Sequence, residues 1–330
     1  MKKELLFMAT AALTISSCTM QEVDDVAATQ KEPIQFEQFI GKATRAGDVT
    51  TTTLTEFKVL GKKYSSNGQS AGSFDITVTK SGSGWTYSPT MYWEEGVKYC
   101  FTAINLTEYA YGMIMFESNS ATDYGLNGSL FQLAGTNLPG DVVAAVCPAA
   151  IEGKASGNEA VSFNFKHILT KVQVTFVNEL DELDLMFESA EITQAQGTSN
   201  FRWENTGQPT WDNYSMTGTY PLDADYPFNL PNGESKTYTL YLLPQAQEDF
   251  QPQLNCEYIS EDSPAIKDGH IALDLFNDNV TKWEAGKAYN YKITFAPKTV
   301  EPEEVQFTVS IDSWGSADDV DLDNVEISEN

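Results

Sequence analysis

Along most of this chain, apolar side chains recur at every second position. In FDITVTK they are Phe74, Ile76 and Val78. In AYNYKITFAP they are Tyr289, Tyr291, Ile293 and Phe295, alternating with Asn290, Lys292 and Thr294. In VQFTVSIDSW they are Val305, Phe307, Val309 and Ile311. A repeat of two is that of a strand burying one face. Gly, Pro, Asn and Asp punctuate these segments, so the strands are short and their sheets antiparallel. The pattern predicts an all-β chain of two sandwich-type domains. One segment, around Asp181 to Phe187, reads as a short helix.

A hairpin signature occurs twice. Residues 93–101 read WEEGVKYCF and residues 283–291 read WEAGKAYNY, both of the form W-E-x-G-x-x-Y-x-[FY]. A Trp ends one strand, a Gly permits the turn, and alternating aromatics line one face of the next strand. Each half of the chain therefore contains the same device. Between them, VSFNFKHILTKVQVTFV changes phase. Its inward residues are first odd (Val161, Phe163, Phe165) and then even (Val172, Val174, Phe176). Such a strand needs a bulge or passes from one core to another. The junction is expected near His167, with an N-terminal domain over 33–166 and a C-terminal domain over 167–330.

The N-terminus adds a route to the cell surface. In MKKELLFMATAALTISSC, Lys2 and Lys3 precede a short apolar run from Leu5 to Leu13. That run is too short for a membrane helix and reads as a secretory signal over residues 1–17. Ile15-Ser16-Ser17-Cys18 resembles a bacterial lipobox, which places a lipid anchor on Cys18. Acyl chains contribute about 0.8 kcal/mol per buried CH₂, so several on one Cys hold firmly. Residues 18–32 are polar, acidic and aperiodic, and are expected to form a flexible tether.

Charge and rare residues narrow the chemistry. The formal net charge of −27 disfavours nucleic acid as a partner. Only two of the 20 basic residues are Arg, Arg45 and Arg202. Arg45 stands in GKATRAGD, whose small, polar residues suit an exposed loop of the kind proteases cut. Arg202, in NFRWEN, reads as part of a strand or its turn. Cys100, Cys147 and Cys256 form no C-x-x-C and are expected as small core residues, with pairing of two of them open. The two His, His167 and His270, have no zinc or triad spacing around them. His167 is expected to satisfy a buried backbone group, and His270 to lie where a turn enters a strand. Asp319, Asp321 and Asp323 have D-x-D-x-D spacing, but Asn324 and Asn330 stand where a calcium loop needs Gly and Glu. No enzyme activity, metal or cofactor is expected. Acidic residues are abundant, but abundance does not place a catalytic pair.

After the lipobox and tether come PIQFEQFIGKATRAG, VSFNFKHILTKVQVTF, WEAGKAYNYKITF and VQFTVSIDSWG, in that order. This succession, spanning almost the whole chain, resembles the fimbrillin family, the subunits and anchors of type V pili in Bacteroidetes. The resemblance implies two transthyretin-like antiparallel β-sandwich domains in tandem. It implies passage to the outer membrane as a lipoprotein, and then cleavage by an Arg-specific protease after an early strand. On this chain the cut would fall between Arg45 and Ala46, and the displaced strand would carry Ile34, Phe36 and Phe39. The implied partners are other fimbrial subunits, copies or paralogues, one of whose strands fills the vacated groove.

The segment SADDVDLDNVEISEN, residues 316–330, is a candidate donor. Val320 and Leu322 share one phase and Val325 and Ile327 the other, with a turn or bulge at Asp323-Asn324. A different function, a glycan-binding lipoprotein of the outer membrane, would instead use aromatic platforms. Trp85, Tyr87, Tyr92 and Trp93 form one candidate cluster, and Trp203, Trp211 and Tyr214 another. Alternation assigns Trp85 and Tyr87 to a core. Trp211 and Tyr214 stand in a polar stretch and are the better surface candidates.

Overall fold

The computed structural model describes residues 31–40, 48–105, 111–131, 140–180, 183–223, 225–259, 269–278, 280–296 and 304–313. The first half holds β1 (Phe36–Ile40), β2 (Glu56–Tyr64), β3 (Ser70–Ser81), β4 (Gly84–Tyr87), β5 (Lys98–Asn105), β6 (Tyr111–Ser120), β7 (Asp123–Phe131), β8 (Val143–Val146), β9 (Ile151–Glu152) and β10 (Val161–His167). The second holds β11 (Thr170–Asn178), β12 (Leu185–Glu204), β13 (Thr210–Pro221), β14 (Phe228–Leu230), β15 (Ser235–Leu242), β16 (Gln245–Ala246), β17 (Gln253–Ile259), β18 (Gly269–Asp274), β19 (Lys282–Trp283), β20 (Lys287–Ala296) and β21 (Glu304–Ser313). The fold is all-β, and the described residues contain no helix. The helix expected around Asp181 to Phe187 is corrected, because Leu185 to Phe187 open β12. Their apolar neighbour Leu183 packs on the same core, at the strand's period of two.

Among the described residues, strand pairings are antiparallel except for β1 with β10 and β11 with β20. One sheet runs β1-β10-β8-β5-β2-β3-β4, with β9 added on β5. Phe57, Val59, Tyr99, Phe101, Phe163 and Phe165 fill the core on one of its faces. The two ends of this sheet meet. Phe36 of β1 lies 5.1 Å, centroid to centroid, from Tyr87 of β4. β5 and β8 are buried on both faces, because Ile104 and Ala144 pack on the other side with Leu126, Phe201 and Trp203. The remaining large core lies between β15-β11-β20-β21 and the β18-β17-β12 part of a second sheet. β10 supplies Val161, Phe163 and Phe165 to the first core, and β11 supplies Val172, Val174 and Phe176 to the other.

β12 serves two cores. Its 20 residues pair with β17 and β14 at the start and with β7 and β13 further on. Leu185, Phe187 and Ile192 enter the C-terminal core, whereas Phe201 and Trp203 pack with β5, β7 and β8. Register shifts against β13, between Ile192 and Ala195 and between Thr198 and Asn200, re-aim the strand. Gln194 in the first of them has φ +56°. Gln196 at the crossing is buried, and three of its polar groups are engaged while its side-chain oxygen has no partner among the described residues. Its backbone N–H donates to Gln245 Oε1 at 2.9 Å, its Nε2 to the Thr198 carbonyl at 2.9 Å, and its own carbonyl accepts from the Tyr220 hydroxyl at 2.8 Å. β7 approaches β12 so closely that a Cβ on Gly125 would come within 2.1 Å of the Trp203 carbonyl oxygen.

The repeated hairpin signature has one geometry in both places. Gly96 and Gly286 have φ of +74° and +72°, a conformation that side chains disfavour. Each turn closes from the residue after the Gly, Val97 to the Glu94 carbonyl and Lys287 to the Glu284 carbonyl. The Tyr99 hydroxyl then accepts the Glu94 N–H at 3.0 Å, and the Tyr289 hydroxyl accepts the Glu284 N–H at 3.0 Å. Tyr99→Phe and Tyr289→Phe each leave that N–H without its acceptor. Each is expected to cost about 1–2 kcal/mol, read as a lower urea midpoint at unchanged slope.

Cys100 lies in β5, Cys256 in β17, and Cys147 directly after β8. All three are buried and unpaired. Burial pushes Cys100 and Cys147 up to about 12, which leaves them protonated and unreactive at neutral pH.

Candidate functional site

The segment before Arg45 closes the first sheet, and backbone bonds hold it on two sides. Pro33 bridges Tyr92, the Ile34 N–H donates to the Met91 carbonyl at 2.9 Å, and the Trp93 N–H donates to Glu32 at 2.9 Å. The chain then turns to run parallel with β10, from Phe36 opposite Val161 to Ile40 opposite Phe165. On the β4 side, the Tyr87 hydroxyl donates to the Ile34 carbonyl at 2.6 Å. Ile34, Phe36 and Ile40 are buried. The Phe36 ring sits among Tyr87, Phe101 and Phe163 at 5.1, 6.0 and 5.9 Å. Ile40 escaped the sequence reading, although the period of two from Ile34 and Phe36 reaches it. Phe39 stands opposite Asn164, out of step with Phe36 in the pairing.

The ends of the next loop are tied together. The Ile40 N–H donates to Thr51 Oγ1 at 3.1 Å, and that hydroxyl donates to the Ile40 carbonyl at 3.1 Å. Arg45 and Ala46 fall between Ile40 and Thr51 in sequence and lie outside the described residues, as do Cys18, Val320, Leu322, Val325 and Ile327. The other arginine, Arg202, has an exposed side chain paired with Glu204 at 2.8 Å. Its backbone is flanked on both sides, by Asn127 of β7 and Thr210 of β13.

Just beyond the loop is a buried charge cluster. Lys171 Nζ of β11 lies 2.6 and 2.7 Å from the two carboxylate oxygens of Asp48, with both side chains out of solvent. The Tyr241 hydroxyl of β15 donates to the same carboxylate at 3.0 Å. Burial and the carboxylates of Asp48 and Asp141 hold the Tyr241 phenol well above the ordinary tyrosine range. The Val49 N–H donates to Asp141 Oδ2 at 2.7 Å. His167 Nδ1 contacts the Asp141 carboxylate at 2.9 Å, a partner that the sequence reading did not include. Burial raises the pKa of Asp141, against the lowering effect of His167 and the Val49 N–H. Nothing in the sequence marks Asp48, Lys171 and Asp141 as a group, since strand alternation assigns Lys171 to the outward face.

The aromatic candidates are mostly packed. Trp93 and Trp203 are buried, and Trp85 and Tyr87 pack on the first core, Trp85 edge-on to Phe57 at 4.9 Å. Trp211 is half-buried 5.0 Å from Phe201, and the Tyr214 hydroxyl donates to the Trp211 carbonyl at 3.1 Å. Tyr92, at 44% exposure, is the one open ring among the seven. A single ring is not a sugar-stacking platform. Among the described residues, no group of three or more His, Cys, Asp or Glu is arranged to hold a metal ion.

A family model described as fimbrillin-like matches residues 44–314. Among solved structures, a candidate cell adhesion protein from Bacteroides ovatus is similar, at 15% identity and a TM-score of 0.54, over 87% of this chain and 99% of that one. Another from Bacteroides uniformis is 16% identical over 86% and 98% of the two chains, with a TM-score of 0.47. The fimbrial anchor protein Mfa2 from Porphyromonas gingivalis is 10% identical over 86% and 98%, with a TM-score of 0.39. None of the curated proteins matches.

Proposed function

We propose, from the premise that this chain belongs to the fimbrillin-like family, that it is a structural subunit of a cell-surface fimbria. It is exported as a lipoprotein on Cys18, held at the outer membrane, cut after Arg45 by an Arg-specific protease, and assembled by strand donation between subunits. In this reading the chain divides near residue 167 into two tandem transthyretin-like sandwiches, and the packing of Phe201 and Trp203 of β12 against β5, β7 and β8 ties the second to the first. Its role is structural, not catalytic.

The observation that carries this reading is the seat of residues 32–40. This segment closes a sheet whose two ends meet on it, and the stretch that follows it in sequence carries Arg45. Its departure would leave Val161, Phe163 and the Phe36 pocket uncovered and the β10 edge without partners. An incoming strand supplies both needs, apolar side chains at period two and backbone pairing. Arg202 offers no competing cut, because a backbone paired on both sides does not enter a protease.

The donor on first reading is residues 316–330, whose Val320, Leu322, Val325 and Ile327 would each contribute about 1.5–3 kcal/mol when buried. A sequence match favours a second donor. Residues 34–40 read IQFEQFI and residues 305–311 read VQFTVSI, both [IV]-Q-F-x-x-x-I. The second lies in β21, which ends its sheet beside β20. β21 therefore has a Phe at the step that fills the aromatic pocket, whereas residues 316–330 contain no aromatic residue.

Purified precursor treated with an Arg-specific protease is expected to form ladders on unheated gels, and Arg45→Ala is expected to abolish them. Undiminished polymer from Arg45→Ala would remove the cleavage reading. Deleting residues 316–330 abolishes polymer if that segment donates and spares it if β21 does.

A further inference from the structure

Strand exchange makes no use of the buried charges around Asp48. We propose that this cluster is the fixed post of maturation: it holds the chain immediately downstream of the cut, so that cleavage frees β1 and nothing beyond it. The proposal rests on cleavage after Arg45.

Asp48 stands three residues beyond Arg45. Its carboxylate is held by Lys171 and Tyr241, both from the second half of the chain. The next residue, Val49, is held through its N–H by Asp141, which is itself bound by His167 at the end of β10. Two adjacent residues are therefore fastened to opposite halves of the molecule. The fastening continues: Thr53 Oγ1 donates to the Asp48 carbonyl at 2.9 Å, the Leu54 N–H donates to the Thr50 carbonyl at 2.9 Å, and Leu54 is buried in the first core.

The two sides of the loop are held by different physics. Upstream, β1 relies on backbone pairing and apolar contact, and another strand can supply both in kind. Downstream, a buried carboxylate cannot leave its ammonium partner without stranding a charge in a dry site. No generic β-strand replaces that interaction. A competing strand can therefore displace residues up to Arg45, and exchange stops at Asp48. The new terminus at Ala46 then starts two residues from a fixed point, which gives every subunit the same groove mouth.

Hydrogen–deuterium exchange of the full chain, before and after Arg-specific cleavage, tests the proposal. In the wild type, peptides covering residues 48–54 are expected to exchange equally slowly in both states. In Asp48→Asn/Lys171→Met the same peptides should exchange about tenfold faster in both states, while β17 and β20 keep their protection. Unchanged protection at 48–54 in the double variant would overturn the proposal, as would its loss on cutting the wild type. Should the double variant not fold, Tyr241→Phe removes the hydroxyl that donates to Asp48 and is read in the same peptides. About threefold faster exchange supports the post and no change overturns it. The uncut protein reports on the hold alone. A held 48–54 segment with a β1 that never leaves after cleavage would defeat strand exchange and leave the post standing.

Discussion

Phe36→Ala is expected to destabilise the uncut protein by about 3–5 kcal/mol, the range for removing a buried Phe ring. The ring touches Tyr87, Phe101 and Phe163, which come from three different strands, so no single neighbour can collapse into the space. Equilibrium urea unfolding followed by tryptophan fluorescence measures the loss. Glu37→Ala, at an exposed neighbour in the same strand, should change stability by no more than about 0.5 kcal/mol. Phe36→Ala has a kinetic consequence as well once the chain is cut after Arg45. The strand is then a bound peptide, and losing the ring should speed its release by about a hundredfold or more. Gel filtration of the cut protein at intervals would show it. A Phe36→Ala protein with wild-type stability and wild-type retention of its strand would mean that the pocket does not hold β1.

Lys171→Met should be as damaging for a different reason. Methionine fits the apolar stem of the lysine, so little packing is lost. What remains is the Asp48 carboxylate, buried, with the Tyr241 hydroxyl and no cation. Removing one partner of a buried ion pair typically costs about 3–5 kcal/mol, most of it from the charge left behind. Adding Asp48→Asn removes that charge and is expected to recover most of the loss. A double-mutant cycle on urea-unfolding free energies would then show strong coupling between the two sites. Additive losses would mean that the pair is not energetically joined.

Alternation made much of the fold legible. Val161, Phe163 and Phe165, and then Val172, Val174 and Phe176, face the cores that their phase assigns. The two W-E-x-G-x-x-Y segments form turns with the same glycine conformation and the same hydrogen bonds, because Gly and Tyr each do a local job, and local jobs are written locally. Ile34 and Phe36 were legible for the same reason. The buried charges were not. Asp48 and Lys171 are 123 residues apart, and each alone looks like a solvated residue. Lys171 and Gln173 are buried because the outward face of β11 is covered in three dimensions, which the pattern of one strand cannot report. β12 misled for a related reason. The acidic residues before it, Asp181, Glu182 and Asp184, resemble a helix start, and the spacing of Leu183, Leu185 and Phe187 gives the strand only when weighed against them. That one strand would serve two cores has no signature in any short window.

β12 also determines how the molecule meets a pull. In the fimbrial role proposed above, a subunit is stretched along its length, and two independent units would yield at the weaker one. Here a single girder is riveted on both flanks, to β17 and β14 at one end and to β7 and β13 at the other. Where the pull runs along β12, it loads those hydrogen bonds in shear, all at once, and does not peel them one by one. The two cores consequently share strain, and the subunit should rupture in one step.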